Sequence, residues 1–415
     1  MSDFIIQHPC PQCGAPITLA ETDRLVSCGF CRVRSYMPQL FIRYLLPHDA
    51  PPDKKLIYLP YWRYKGMVYY VTGNGIQHHL LDATRLAVNL SCVPPTMGLR
   101  SQAMTLNIVT PDTPGRFVQP DKPFSQVTGL FADLSVPQKG GSVFHQADIG
   151  ETVSLIYAPF YEDGGLFDAV LNKQLGDTDA AWQVAALPGG APTWTIKFVP
   201  TLCPDCGWDM ECASNSLSLL CRNCNSVWRP GRNGLKRTRL TFIVAKEVKD
   251  IVYLPFWRIK TDVSGITLNS FADLVRIANL SRAVQPGWER QEFYFWSPAF
   301  KVRPETFVQL SRQMNIGQPA VAAGDETVSQ APALPEGRIL PVTLPVSDAV
   351  ESLKISLASF IKPAKYMLPR LPDITITPQS SLLVYLPFHE GSLEYTNDAF
   401  GVAINKRLVS LAGNL

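Results

Sequence analysis

At 415 residues, 46% of them hydrophobic and 10% aromatic, the chain can bury several cores, which excludes a disordered or fibrous protein. Its small formal net charge of +3 argues against a globally basic, polyanion-seeking protein. The opening Met1-Ser2-Asp3-Phe4-Ile5-Ile6 lacks the basic start and apolar run of a secretory signal, and no stretch is apolar for long enough to span a bilayer, so a soluble cytoplasmic protein is expected.

In chain order, the first strong signal is Cys10, Cys13, Cys28 and Cys31, spaced C-x2-C-x14-C-x2-C. The same spacing returns without slippage as Cys203, Cys206, Cys221 and Cys224. Four thiolates so arranged suit one tetrahedral ion, because each short knuckle aims two sulfurs at a common point and the intervening hairpin joins the pairs. Eight cysteines held this way point to a reducing compartment. As thiolates around two divalent ions, they bring the formal +3 to −1, so any attraction for nucleic acid has to come from a local patch.

Between and after the cysteine sets, further landmarks recur. Ile57-Tyr58-Leu59-Pro60-Tyr61-Trp62-Arg63-Tyr64-Lys65 returns as Val252-Tyr253-Leu254-Pro255-Phe256-Trp257-Arg258-Ile259-Lys260. Leu155-Ile156-Tyr157-Ala158-Pro159-Phe160-Tyr161-Glu162 returns as Leu383-Val384-Tyr385-Leu386-Pro387-Phe388-His389-Glu390. The expected fold class is therefore α+β, β-rich and multidomain, an internal tandem duplication in which each half is a metal ribbon followed by a mainly β body with few helices. The divisions expected are a first ribbon over 1–40, a first body over 41–187, a second ribbon over 195–235 and a second body over 236–415, with an exposed proline-rich excursion at about 317–345. Each Tyr-x-Pro-aromatic element reads as strand with a hairpin-like corner at the proline, which lacks a ladder donor. Met67 to Val71 reads as a strand ending in the turn Gly73-Asn74-Gly75. Helices are predicted over Ser347 to Ile361, capped by Ser347 or Asp348, over Arg303 to Met314 with Pro304 in the first turn, and over Leu99 to Ile108. Thr110 to Lys122 and Gly176 to Thr193 read as linkers.

Each cysteine set opens with Cys-Pro-x-Cys-Gly, as Cys10-Pro11-Gln12-Cys13-Gly14 and Cys203-Pro204-Asp205-Cys206-Gly207. At these residues the chain resembles the zinc-ribbon family, a small three-stranded module on a rubredoxin-like cysteine framework. The resemblance implies that all eight cysteines are ligands and that the cofactor is two Zn²⁺; it covers roughly 70 residues. Iron, as in rubredoxins, is the competing metal. The knuckles ending in Cys31-Arg32 and Cys224-Asn225 lack the glycine that iron knuckles favour after the last cysteine. A closed four-thiolate zinc site has no open position for water, so catalysis at the metal is not expected. Cys92 and Cys212 read as core thiols.

Two candidate surfaces accompany the metal sites. Trp62, Arg63, Trp257 and Arg258 combine residue types favoured at protein-binding hot spots. Arg222, Trp228, Arg229, Arg232, Lys236, Arg237 and Arg239 form a run without acidic residues that could contact phosphates while the indole stacks on a base; the competing reading pairs these cations with Asp205, Asp209 and Glu211. No nucleotide-binding, hydrolase or metalloprotease motif is present, and no catalytic residue is assigned. The expected function is a non-catalytic zinc-binding scaffold or adaptor with a protein partner. A nucleic-acid-associated protein is the alternative, and rubredoxin-like electron transfer the third.

Overall fold

Strands dense in β-branched and aromatic residues are stable only when paired and covered, and the longest such runs form the spine of this protein. The computed structural model describes residues 4–410 apart from 40, 99, 125–141, 232–233, 244, 246–249, 322–333 and 336. Strand accounts for 41% and helix for 17%, against about 20–25% strand in ordinary domains, so the expectation of a β-rich chain with few helices holds.

Leu56–Thr72 pairs antiparallel with Val143–Glu162, placing Tyr58 opposite Pro159 and Pro60 opposite Tyr157. In the second half Ile251–Ser264 pairs antiparallel with Thr375–Glu390, placing Tyr253 opposite Pro387 and Pro255 opposite Tyr385. The flanks also correspond. Ile42–Leu45 and Leu240–Phe242 run parallel to the later strand of each pair. Arg116–Val118 and Arg338–Ile339 run parallel to the earlier one. Beyond the prolines the later strands form hairpins with Leu166–Asp168 and Glu394–Asn397.

The expected corners at the prolines do not form. Each strand runs on, and each proline lies where one flanking strand gives way to another. Arg116 and Phe117 flank Ile57 and Tyr58, whereas from Tyr61 onward the neighbour is Gly75–Leu86. Ala87 N–H donates to the Pro60 carbonyl at 2.9 Å. Because the N–H and C=O of one strand residue point the same way, the donor Pro60 lacks would face this handover, where no ladder partner needs it. Ala299 N–H donates to Pro255 at 3.0 Å in the same manner. The short parallel strands approach closely enough to require glycine just before them. A Cβ on Gly115, which has φ +119°, would stand 2.6 Å from the Tyr58 ring, and one on Gly337 would stand 2.9 Å from the Ile251 carbonyl and 3.2 Å from the Tyr253 ring.

The turn after Val71 is as expected, with Thr72 opposite Gly75. Pro304–Gly317 is helical with Pro304 in its first turn and Phe307, Leu310 and Met314 buried. Other helix expectations need correction. Ser347 to Ile361 is two helices, Val346–Glu351 and Leu353–Phe360, and neither Ser347 nor Asp348 caps the first, which starts after Pro345. Asp348 instead accepts from the Gly150 amide at 2.9 Å and the Ser347 hydroxyl at 3.0 Å. Between Leu99 and Ile108 only Arg100–Ala103 is helical; Leu106–Ile108 is a strand inserted between Ile42–Leu45 and Ile5–Pro9. The Gly176 to Thr193 linker contains a helix, Thr178–Ala186, whose first turn is capped by the Asp177 side chain. The Thr110 to Lys122 linker contains the Arg116–Val118 strand. Within the proposed excursion, 322–333 and 336 lie outside the described residues, but Arg338–Ile339 joins the sheet and Leu340, Val342 and Leu344 are buried, so this part is core.

The largest core joins the two halves. Met67, Tyr69, Val71, Ala147 and Ile149, at the far end of the first sheet, belong to the same apolar cluster as the second body. The rings of Tyr69 and Phe307 lie 5.9 Å apart, and His78 Nε2 is 3.1 Å from Glu305.

At this junction His145 is half-buried, and its Nε2 is withdrawn from solvent without a hydrogen-bond partner among the described residues. Burial, with the Lys354 charge second, pulls the imidazole down to about 4. An unfolded chain protonates this histidine near pH 6.5, so between about 6.5 and 4 the unfolded state binds a proton that the folded state refuses. Stability is therefore predicted to fall as the pH drops through that window. In His145→Gln, the loss in urea midpoint stability between pH 7 and pH 4.5 should shrink by about 1 kcal/mol after discounting for solvent screening; equal losses in both proteins would refute this.

Candidate metal centres and the surfaces around them

Both cysteine sets converge, and in each the four sulfurs lie within 4.8 Å of one another. A tetrahedral ion with metal–sulfur bonds of about 2.3 Å needs sulfurs about 3.8 Å apart. The observed separations include 3.8 Å for Cys10–Cys31, 3.6 Å for Cys13–Cys28, 3.5 Å for Cys203–Cys224 and 3.4 Å for Cys206–Cys221, so the donor sets fit such an ion.

The knuckles are built alike. Gly14 N–H donates to the Cys10 carbonyl at 2.9 Å and Gly207 N–H to the Cys203 carbonyl at 2.8 Å, with both glycines at positive φ. After the last cysteine of each set, Arg32 and Asn225 take φ of 60° and 53°. This is the left-handed conformation that a glycine adopts without strain, so the missing glycine marks no change of backbone and does not discriminate against iron. Four thiolates of this geometry accept either metal. Cys28 in the first set and Cys203 and Cys206 in the second are already biased toward the thiolate. The amides of Cys31 and Phe30 hold Cys28 down to about 6, and the Asn223 side chain with the Trp208 amide does the same for Cys206. Burial pushes Cys221 up to about 12, so that thiol depends on an ion to release its proton.

The two ribbons interlock. Val199–Pro200, entering the second, pairs with Tyr36 and Ser35 of the first. The amides of Arg24 and Leu25 both donate to the Ser214 carbonyl, and Tyr36 Oη donates to the Ser216 carbonyl at 2.9 Å. Arg34 pairs with Asp209 at 3.0 Å. Cys212 sits half-buried nearby, its thiol pushed up to about 11 by burial despite the Arg34 charge. The first ribbon is not a free-standing three-stranded module: Ile5–Pro9 also pairs with Leu106–Ile108 of the large sheet.

The aromatic-arginine corners prove largely internal. Arg63 is 0% exposed; its Nε and Nη2 donate to Asp82 at 2.9 and 3.0 Å, and Nη1 donates to Glu21. Gln102 also donates to Asp82, at 2.8 Å. Lys65, equally buried, has its Nζ 3.9 Å from Glu21. Trp257 is 4% exposed and donates to the Leu344 carbonyl, while half-buried Trp62 donates to that of Lys122. These groups are engaged in folding, because a buried cation or indole N–H without a partner is costly. Arg258 lies over the Tyr294 ring, 3.4 Å from its centre, and Lys260 pairs with Glu292 at the surface.

The basic run is likewise partly neutralised. Arg222 pairs with Glu211 at 2.9 Å and Arg237 with Asp205 at 3.2 Å. Trp228, expected to offer a stacking face, is buried and donates to Ser226 Oγ. Arg232 lies outside the described residues, while Arg229 is half-buried and Lys236 and Arg239 are exposed. What the cysteine spacing did not reveal is the apolar residue displayed at each knuckle. Phe30, between Cys28 and Cys31, is 75% exposed, and Trp208, two residues after Cys206, is 60% exposed.

Comparison with family models, with curated proteins and with solved structures found no match to the chain. Among the described residues no helix is long and apolar enough to cross a membrane.

Two outcomes follow from this geometry. Cys206→Ala should lower the metal content measured by elemental analysis from two ions per chain to one, with the first site still loaded; an unchanged stoichiometry would exclude the second cage. Glu21→Ala, which strips Arg63 and Lys65 of a buried counter-charge, should destabilise the protein by about 3–5 kcal/mol in urea titration.

Proposed function

We propose that this chain is a zinc-stabilised, non-catalytic binding protein that holds two ribbons in fixed relation and presents their knuckles to a protein partner. The observation that carries the reading is the exposure of Phe30 and Trp208 on loops pinned by four-cysteine clusters. A filled cage makes such a loop rigid, so an apolar side chain on it is presented with little ordering cost on association. We further infer that the halves descend from one duplicated unit. Supporting this are the repeated cysteine spacing and the shared ladder registers around the four prolines. Zinc is the metal assigned, because the fully thiolate cages suit it and no open coordination position is needed for this role.

The alternative as a nucleic-acid binder draws less support, since two of its arginines already have acidic partners and its indole is covered. Arg229, Lys236 and Arg239 remain to it.

The test uses the full, metal-loaded chain with a benzophenone amino acid placed at Phe30, at Trp208 or, as a control, at exposed Tyr366. Irradiation in cell extract should give discrete protein adducts at 30 and 208 that disappear with Cys206→Ala for the latter. Labelling at 30 and 208 no stronger than at 366 would overturn the proposal.

A further inference from the structure

A cavity of about 280 Å³ lies against the second ribbon, walled by Leu217, Pro230, Trp257, Val342, Val346 and Leu383. The corresponding corner of the first half is filled. There Phe41 and Phe124 lean on Trp62, with ring centres 5.7 and 5.5 Å away.

The ladders fix which residues correspond. Arg43 and Leu240 stand beside Leu155 and Leu383, which face Trp62 and Trp257, so Thr238 occupies the place of Phe41. Phe117 and Ile339 stand beside Tyr58 and Tyr253, and the indoles of Trp62 and Trp257 donate to the carbonyls of Lys122 and Leu344. Val346 therefore occupies the place of Phe124. Thr238 and Val346 both border the cavity. Two phenyl rings of one half are thus a threonine and a valine in the other, and the backbone has not closed over the difference. A recess of this kind leaves hydrocarbon walls against water, which a fitting apolar group would cover.

Its polar groups indicate what does. Arg229 borders the cavity half-buried and has no ion-pair or hydrogen-bond partner for its guanidinium among the described residues, whereas its neighbours Arg222 and Arg237 are paired. Thr238 Oγ1 is withdrawn from solvent and has no hydrogen-bond partner among the described residues. We propose that the cavity is a binding site for a small organic carboxylate, its hydrocarbon body against Trp257 and Leu383 and its anionic head on Arg229. A guanidinium recognises a carboxylate through two parallel charge-assisted hydrogen bonds, and the apolar walls gain by covering a hydrocarbon. The volume stands at the lower end of small-ligand cavities, about 300 Å³ and upward, so the ligand is a short acyl or aryl carboxylate.

The probes are octanoate and its uncharged counterpart 1-octanol, titrated calorimetrically into the metal-loaded full chain. Octanoate should bind saturably at one molecule per chain. Arg229→Gln should weaken octanoate about tenfold or more while leaving octanol unchanged. Val346→Phe or Thr238→Phe, restoring a ring present in the first half, should abolish binding of both, with two ions per chain retained as the check on folding. Absence of saturable octanoate binding at millimolar concentration, equal octanoate affinity in Arg229→Gln, or undiminished binding in both well-folded phenylalanine variants would overturn the proposal.

Discussion

The antiparallel pairing of one Tyr-x-Pro strand with another is the constraint on which each half is built. A strand carrying a proline lacks one ladder donor, and this chain places the gaps at Pro60, Pro159, Pro255 and Pro387 where the flanking strand changes. That placement allows runs as long as Leu56–Thr72 and Val143–Glu162 to stay central in a sheet. It also dictates the entry of the short parallel strands, the glycines that admit them and the position of the tryptophan two residues past the proline.

The same local sequence then serves different ends. Trp-Arg-x-Lys in the first half sends its arginine and lysine inward, where Glu21 and Asp82 neutralise them beneath the first ribbon. In the second half the arginine rides on Tyr294 and the lysine meets Glu292 near solvent. The difference comes from what covers the strand. Glu21 belongs to the ribbon that docks on the first sheet, so the buried ion cluster ties the first four-cysteine module to the body beside it.

Much of this was legible in the residues. Cysteine spacing located both sulfur clusters because a chelating knuckle is a local feature, and the Tyr-x-Pro repeats located the central strands. The roles of Arg63, Trp257 and Trp228 were not legible, since burial depends on partners such as Glu21, Leu344 and Ser226 that no local pattern links to them. The short parallel strands escaped for another reason: proline and glycine around them imitate a linker. Their signal lay in comparing Gly115-Arg116-Phe117 with Gly337-Arg338-Ile339, each followed by a proline-aromatic or proline-valine pair, Pro123-Phe124 and Pro345-Val346. Aligning those segments also exposes the substitution that opens the cavity beside Trp257.

The ladder between Val199–Pro200 and Ser35–Tyr36 has a consequence for synthesis. A nascent chain exposes the edge of its hairpin of Leu25–Ser27 with Arg34–Tyr36 until some way past Pro200 has left the ribosome, because the carbonyls of Ser214 and Ser216 also complete it. Metal capture by the N-terminal thiols, by contrast, needs only the first few dozen residues. An ion held there early would clamp an unfinished sheet edge and guard it against wrong pairing until its distant complement arrives.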